Sequence, residues 1–235
     1  MKSGVISYLT IWAMCLPHFC QSQQWSIKIK TLSAQLTAHP TRSGYDSLHF
    51  IMTEHYQQLT TDERTKVRAI LEKQAKWTNE ILCTNNEKGT KITIKGRLLD
   101  EHQKPIPNAK LYIFHADSKG YYAPTDSALK RMNEAEPRLF GFLTTDQSGN
   151  YSFQTIRPAS YPGKYNGRTI PQHIHINSTA TGYQSRNIQM VFDDDSAMKD
   201  AHWRDWAKQQ NYPVVKLLFE KDKGLYGICD IVLNQ

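Results

Sequence analysis

Two textures of hydrophobic placement divide the chain. From Trp25 to about Asn79 apolar positions recur at helical intervals, most clearly in ERTKVRAILEKQAKWTN, where Val67, Ile70, Leu71 and Trp77 fall roughly on one face behind the polar starters Thr60, Thr61 and Asp62. A helix or two of that length cannot bury its own apolar stripe, so the segment is expected to pack on something else. From about Lys91 the period shortens to two, and KITIKGRLLD, AKLYIFHAD, FGFLTTD, GNYSFQTI, QHIHINST, NIQMVFDD, VVKLLFE and GICDIVL read as strands between turn signals such as KPIPNA and DQSGN. Many short strands with no long helix between them predict a mainly β fold, an antiparallel β-sandwich with an N-terminal helical extension. The stretch AHWRDWAKQQNY at 201–212 is the one expected helical or loop insertion, and no internal repeat or low-complexity segment is present.

The chain opens with Lys2, the apolar run GVISYLTIWAMCL, the helix breaker Pro17 and the small polar stretch Cys20-Gln21-Ser22, the layout of a signal peptide. The run is too short to span a bilayer, for which about 20 apolar residues are needed. The expected organisation is a leader over 1–22, a helical extension over 23–88 and a β domain over 89–235, with export after cleavage and no membrane span in the mature chain. Of the four cysteines, Cys15 and Cys20 would leave with the leader, and in an exported chain the remaining Cys83 and Cys229 are candidates for a disulfide or for two separate buried thiols.

Composition narrows the class without naming it. The chain of 235 residues is 39% hydrophobic and 22% charged, as ordinary soluble domains are. A net charge of +7 and a pI near 9.1 raise nucleic acid as a partner, but Lys and Arg are scattered, no run forms a basic arm, and Asp193, Asp194 and Asp195 interrupt them. The charge therefore reads as solvation, with no nucleic-acid partner expected.

Candidate chemistry begins at His173 and His175. On a strand, residues i and i+2 share a face, so both imidazoles can reach one metal ion. Spacing alone leaves the metal open. A cupin would place a Glu soon after the pair, which NSTATGY does not supply, and a zinc hydrolase would add a third His or an acid. His55, His102, His115 and His202 have no metal-like spacing, and His115 in FHAD reads as a hydrogen-bonded core histidine. The neighbourhood offers tyrosine instead, at Tyr121, Tyr122, Tyr161 and Tyr165, and phenolate is a hard anionic donor suited to Fe(III).

With these residues in place, GRLLDEHQKPIPNAKLYIFHADSKGYY resembles the corresponding stretch of intradiol ring-cleavage dioxygenases. TTDQSGNYSFQTIRPASYP is similar to that family's strand and second tyrosine, QHIHI to its paired histidines, NIQMVF to its glutamine strand and GLYGICDIVL to its closing strand, all collinear from about residue 91 onward. The resemblance implies a non-haem Fe(III) held by Tyr122, Tyr161, His173 and His175, with Tyr122 preferred over Tyr121 because one residue separates it from Gly120. It implies that Tyr161 also takes up a substrate proton and that Gln189 faces the substrate and oxygen pocket. The implied reaction uses O2 to cleave a catechol-type ring between its two hydroxylated carbons, giving a muconate-type diacid. Tyr165 is expected at the surface or rim.

One departure stands out. The family carries an arginine three residues before the first histidine of the pair, where this chain has Ile170, and Arg168 is the candidate to supply the missing charge. A rival reading is a non-catalytic β-sandwich binding module of the carboxypeptidase-regulatory type, which shares the strands and turns but does not require the four ligands together. The identity of the catechol and the formation of a homo-oligomer are left open.

Overall fold

A computed structural model describes residues 16–124 and 136–235. The leader expected over 1–22, including Cys15, falls largely outside the described residues, which begin in α1 (Leu16–Ala38). The chain divides between Gln74 and Ala75 into two units. The first holds α1, α2 (Arg42–Glu54) and α3 (Thr61–Gln74), with Tyr45, Leu48, Ile51, Met52, Val67 and Leu71 buried. Local chemistry sets the helix starts. The Thr41 side chain caps α2 by accepting from Gly44 N–H at 3.2 Å. Thr60 and Glu63 form a capping box at α3: Glu63 N–H donates to Thr60 Oγ1 at 3.3 Å and Thr60 N–H to Glu63 Oε2 at 2.9 Å. Among the described residues no helix is long and apolar enough to cross a membrane.

The second unit contains β1 (Asn79–Ile81), β2 (Lys91–Asp100), β3 (Lys110–His115), β4 (Leu139–Thr144), β5 (Asn150–Ile156), β6 (Lys164–Tyr165), β7 (Arg168–Thr169), β8 (His173–Thr179), β9 (Arg186–Phe192), α4 (Ala201–Gln209), β10 (Val214–Val215), β11 (Leu218–Glu220), β12 (Gly224–Ile228) and β13 (Ile231–Leu233). One sheet has the order β1-β5-β2-β12-β11, with β13 also on β2, and the other has the order β10-β9-β8-β3-β4. Alternation puts Ile92, Ile94 and Phe153 of the first sheet and Ile113, Ile174, Ile176, Ile188 and Met190 of the second into one shared core. The complementary positions of β8 and β9, His173, His175, Gln189 and Val191, therefore face away from that core. The expected insertion at 201–212 contains α4, capped by the Asp200 side chain.

Three expectations need correction. The sheets are mixed: β2–β5, β3–β4, β3–β8, β8–β9 and β11–β12 are antiparallel, but β1 runs parallel to β5, β10 to β9, and both β12 and β13 to β2. Hydrophobic alternation fixes which face of a strand is buried and carries no information on its direction. The helical extension expected over 23–88 ends at Gln74, because 79–81 pair with β5. VVKLLFE is two strands in different sheets, β10 and β11, with the chain crossing between them.

Cys83 and Cys229 are two buried free thiols. They flank β5 and β2 from opposite sides, so three interstrand steps of about 4.8 Å separate their columns, beyond the roughly 7 Å Cα separation that a disulfide tolerates. Burial pushes the Cys229 thiol up to about 12. Its backbone closes the core on β2: Tyr151 Oη donates to Cys229 O at 2.6 Å, and a Cβ added at Gly96 would stand 1.8 Å from the same oxygen. Gly96→Ala is therefore expected to lower the unfolding free energy by about 2–3 kcal/mol, measured by denaturant unfolding.

Candidate metal centre

β8 presents His173 and His175 on the face turned from the core, and two loops bring phenols over them. Tyr122 follows a turn whose hinge is Asp117: its Oδ1 accepts from Lys119 N–H at 2.8 Å and Tyr121 N–H at 3.1 Å, while Gly120 N–H donates to Asp117 O at 3.1 Å. Tyr161 follows β5 on the segment RPASY. The loops meet at Gly120 (φ +86°), where an added Cβ would lie 2.2 Å from Ser160 O and 3.1 Å from Tyr161 Cα. Ala159 N–H also donates to Asp117 O at 3.0 Å. Glycine is needed here both for the left-handed backbone and for the close approach of the second loop.

The four side chains form one cluster. Tyr122 Oη lies 2.8 Å from His175 Nε2, Tyr161 Oη lies 2.9 Å from His173 Nε2, and the two phenol oxygens are in direct contact. Tyr122 is 1% exposed, whereas Tyr161 is half-buried and open to the outer side. His173 Nδ1 donates to Pro171 O at 2.7 Å, and since a carbonyl only accepts, the proton sits on Nδ1 and the Nε2 lone pair points into the cluster. Burial lowers the pKa of His173. Burial, with His173 and His115 nearby, takes His175 to about 3, so both imidazoles are neutral at ordinary pH. Phe114, opposite His175 in the β3–β8 register, stacks on it at 4.5 Å with 1° between planes and fixes its orientation.

Gln189 pairs with His175 across β8–β9, so its side chain emerges on the same face, and among the described residues its amide has no hydrogen-bond partner. His115 is a core residue, with Nδ1 2.7 Å from Ala116 O and Nε2 2.6 Å from Thr155 Oγ1. Burial lowers it to about 4. Tyr165 is 56% exposed in the β6–β7 hairpin.

Arg168 is not brought to the cluster. It sits in the same solvent-exposed hairpin, and its Nε donates to Asp200 Oδ2 at 3.0 Å. Ile170, at the position where an arginine was expected, packs with Val191, Met198 and Trp203. No sequence pattern marks Phe114, whose role shows only once the β3–β8 register is known. The loop contact at Gly120 is likewise invisible to periodicity, although a glycine just before two tyrosines is a usable signal.

The donor set fits a hard, highly charged cation. It offers two neutral imidazole lone pairs and two ionisable phenols, and among the described residues no group of three His, Cys, Asp or Glu gathers that would suit a zinc site.

Comparison with known proteins follows the same line. A family model described as Dioxygenase matches residues 69–229. The chain is 31% identical over 115 residues to the catechol 1,2-dioxygenase of Candida albicans, covering 44% of this chain and 36% of that protein. It is 32% identical over 111 residues to the protocatechuate 3,4-dioxygenase beta chain of Burkholderia cepacia, covering 46% of each. The match thus spans less than half the length of these two curated relatives. The solved structure of catechol 1,2-dioxygenase from Acinetobacter sp. ADP1 superposes with a TM-score of 0.53 at 21% identity, over 90% of this chain and 78% of that one, a likeness of fold.

The Gly120 contact makes a prediction that needs no ligand. Gly120→Ala should cost about 2 kcal/mol of stability in thermal or denaturant unfolding. A crystal structure of the variant should show the Tyr161 loop moved away from Tyr122.

Proposed function

The chain belongs to the intradiol ring-cleavage dioxygenase family, and from that membership we propose that it cleaves a catechol between its two hydroxylated carbons, using a non-haem ferric ion held by Tyr122, Tyr161, His173 and His175. The observation that carries the reading is the convergence of two phenol oxygens and two imidazole Nε2 atoms, supplied by three separate segments, at hydrogen-bond distances. In the same reading the two sheets around their shared core form a β-sandwich.

Tyr122, Tyr161, His173 and His175 would hold the ferric ion, which would supply Lewis acidity toward the two catechol oxygens and so make the ring reactive toward dioxygen. Both atoms of O2 end in the two carboxyl groups of a muconate-type diacid, so the reaction balances without an outside reductant. As phenolates, Tyr122 and Tyr161 would offset two of the three positive charges of a ferric ion, which suits a buried site.

The protein's own residues divide the remaining work. Tyr122, fully buried, is the fixed anionic ligand. Tyr161, only half-buried, would as a phenolate take a proton from the incoming catechol, with His173 Nε2 beside it. Phe114 holds the plane of His175. The Gln189 amide, without a hydrogen-bond partner among the described residues, would receive a substrate oxygen, and Ile170 lines its position with apolar surface in place of a guanidinium. Export through the leader is part of the proposal, checked by sequencing the N-terminus of the secreted chain.

The test is an anaerobic titration of the iron-loaded protein with a panel of catechols, followed by product identification in air. The bound catechol should perturb a visible tyrosinate-to-iron band, and air should yield the ring-opened diacid. A colourless, iron-free protein would favour the non-catalytic module. Tyr122→Phe and His175→Ala should each abolish the band and the cleavage. Arg168→Ala should leave turnover within about twofold of the unmodified chain, since it breaks only a surface ion pair.

A further inference from the structure

Tyr161 and His173 reach the centre from different elements, one from the loop after β5 and the other from the start of β8. Arg157, at the end of β5 and four residues before Tyr161, joins them. Its backbone N–H donates to Thr90 O at 2.8 Å. Its Nε donates to Gln172 Oε1 at 2.6 Å, and its two terminal nitrogens fork onto the carboxylate of Asp194 at 2.7 and 2.8 Å. The guanidinium carbon lies 4.7 Å from the ring centroid of Phe192, which belongs to the core. The same hydrogen bonds hold the Asp194 carboxyl below its usual range.

Gln172 immediately precedes His173, and its own N–H donates to Asp195 Oδ2 at 2.6 Å. Asp195 is buried, and its other oxygen accepts from Ala197 N–H at 3.0 Å. The contacts close a ring. It runs from Arg157 through Gln172 to His173, crosses the 2.9 Å contact to Tyr161, and returns along Ser160, Ala159 and Pro158. One ligand of the cluster sits on each side of the brace.

A guanidinium suits this place because its plane fixes three donor directions at once. One serves Gln172 and two serve Asp194. A lysine at 157 would carry the charge but could not meet both partners. The Arg168–Asp200 pair has no comparable link to a cluster residue, being a single contact between half-exposed groups.

We infer that Arg157 is a positioning residue of the metal centre, setting the spacing between Tyr161 Oη and His173 Nε2 by bracing the Tyr161 loop against Gln172 and Asp194. The inference rests on the proposed function, in that the four clustered side chains hold a ferric ion. When the brace is removed, the backbone bonds Arg157 N–H to Thr90 O and Ala159 N–H to Asp117 O still hold the loop, so the chain stays folded while the phenol gains freedom.

The experiment compares the full chain with Arg157→Met, Arg157→Lys and Gln172→Leu. Three quantities are read: ferric affinity by chelator competition, the position of the tyrosinate-to-iron band, and the melting temperature of the iron-free protein. Arg157→Met and Arg157→Lys should each weaken iron binding by about tenfold or more and displace the band. Gln172→Leu keeps the Arg157–Asp194 fork, so it should displace the band with a smaller loss of affinity and little change in melting temperature. The inference is overturned if the band keeps its position in all three variants, whether affinity is unchanged or falls only in step with melting temperature. An unmodified chain that takes up no ferric ion would overturn the proposed function and this inference together, whereas a coloured parent with identical variants overturns this inference alone.

Discussion

Two backbones can meet above the β8 histidines because Gly120 has no side chain. With φ at +86° and Ser160 O only 2.2 Å from where a Cβ would stand, this one position decides whether the Tyr122 turn and the Tyr161 loop come into contact. The rest of the centre follows from that contact. β8 supplies the histidines at a spacing that the pleat puts on one face, and β3 supplies Phe114 directly opposite His175. A helix could present two histidines as well, but the sheet register also fixes what lies on either side of them, here Phe114 and Gln189.

The electrostatics of the region are consistent with a cation at its middle. Burial keeps both imidazoles neutral, and no described carboxylate joins the cluster. The arginines that could crowd it are committed elsewhere: Arg138 to Glu87 at 2.7 and 2.8 Å, Arg157 to Gln172 and Asp194, and Arg168 to Asp200. Ile170 leaves the position before the histidine pair apolar.

The four clustered residues are legible only jointly: a Gly-x-Tyr turn, a Ser-Tyr-Pro loop and His-x-His on an alternating strand are each commonplace alone, and it is their order along the chain that resembles the intradiol family. The sequence also showed His115 as a core residue and Tyr165 as a surface one. It did not show strand direction, since burial alternates in the same way in parallel and antiparallel pairs. That is why β10, β12 and β13 differ from expectation, whereas β1 lies in a stretch expected to belong to the helical extension. Arg168 is near in sequence to the absent arginine, but a two-residue turn at Asn166 and Gly167 (φ 50° and 78°) sends the hairpin into solvent, and no periodicity reports that. No local pattern singles out Arg157. Its partners Gln172 and Asp194 are 15 and 37 residues away, and only the folded chain shows them together.

The central claim is that two inequivalent tyrosinates, one buried and one open to the outer side, share a ferric ion with two neutral imidazoles. Resonance Raman spectroscopy of the iron-loaded protein, excited in its visible band, tests this most directly. The account predicts two sets of tyrosinate ring vibrations, with one set lost in Tyr161→Phe and the other retained. An iron-loaded protein without tyrosinate vibrations, or with a spectrum unchanged in Tyr161→Phe, would contradict it.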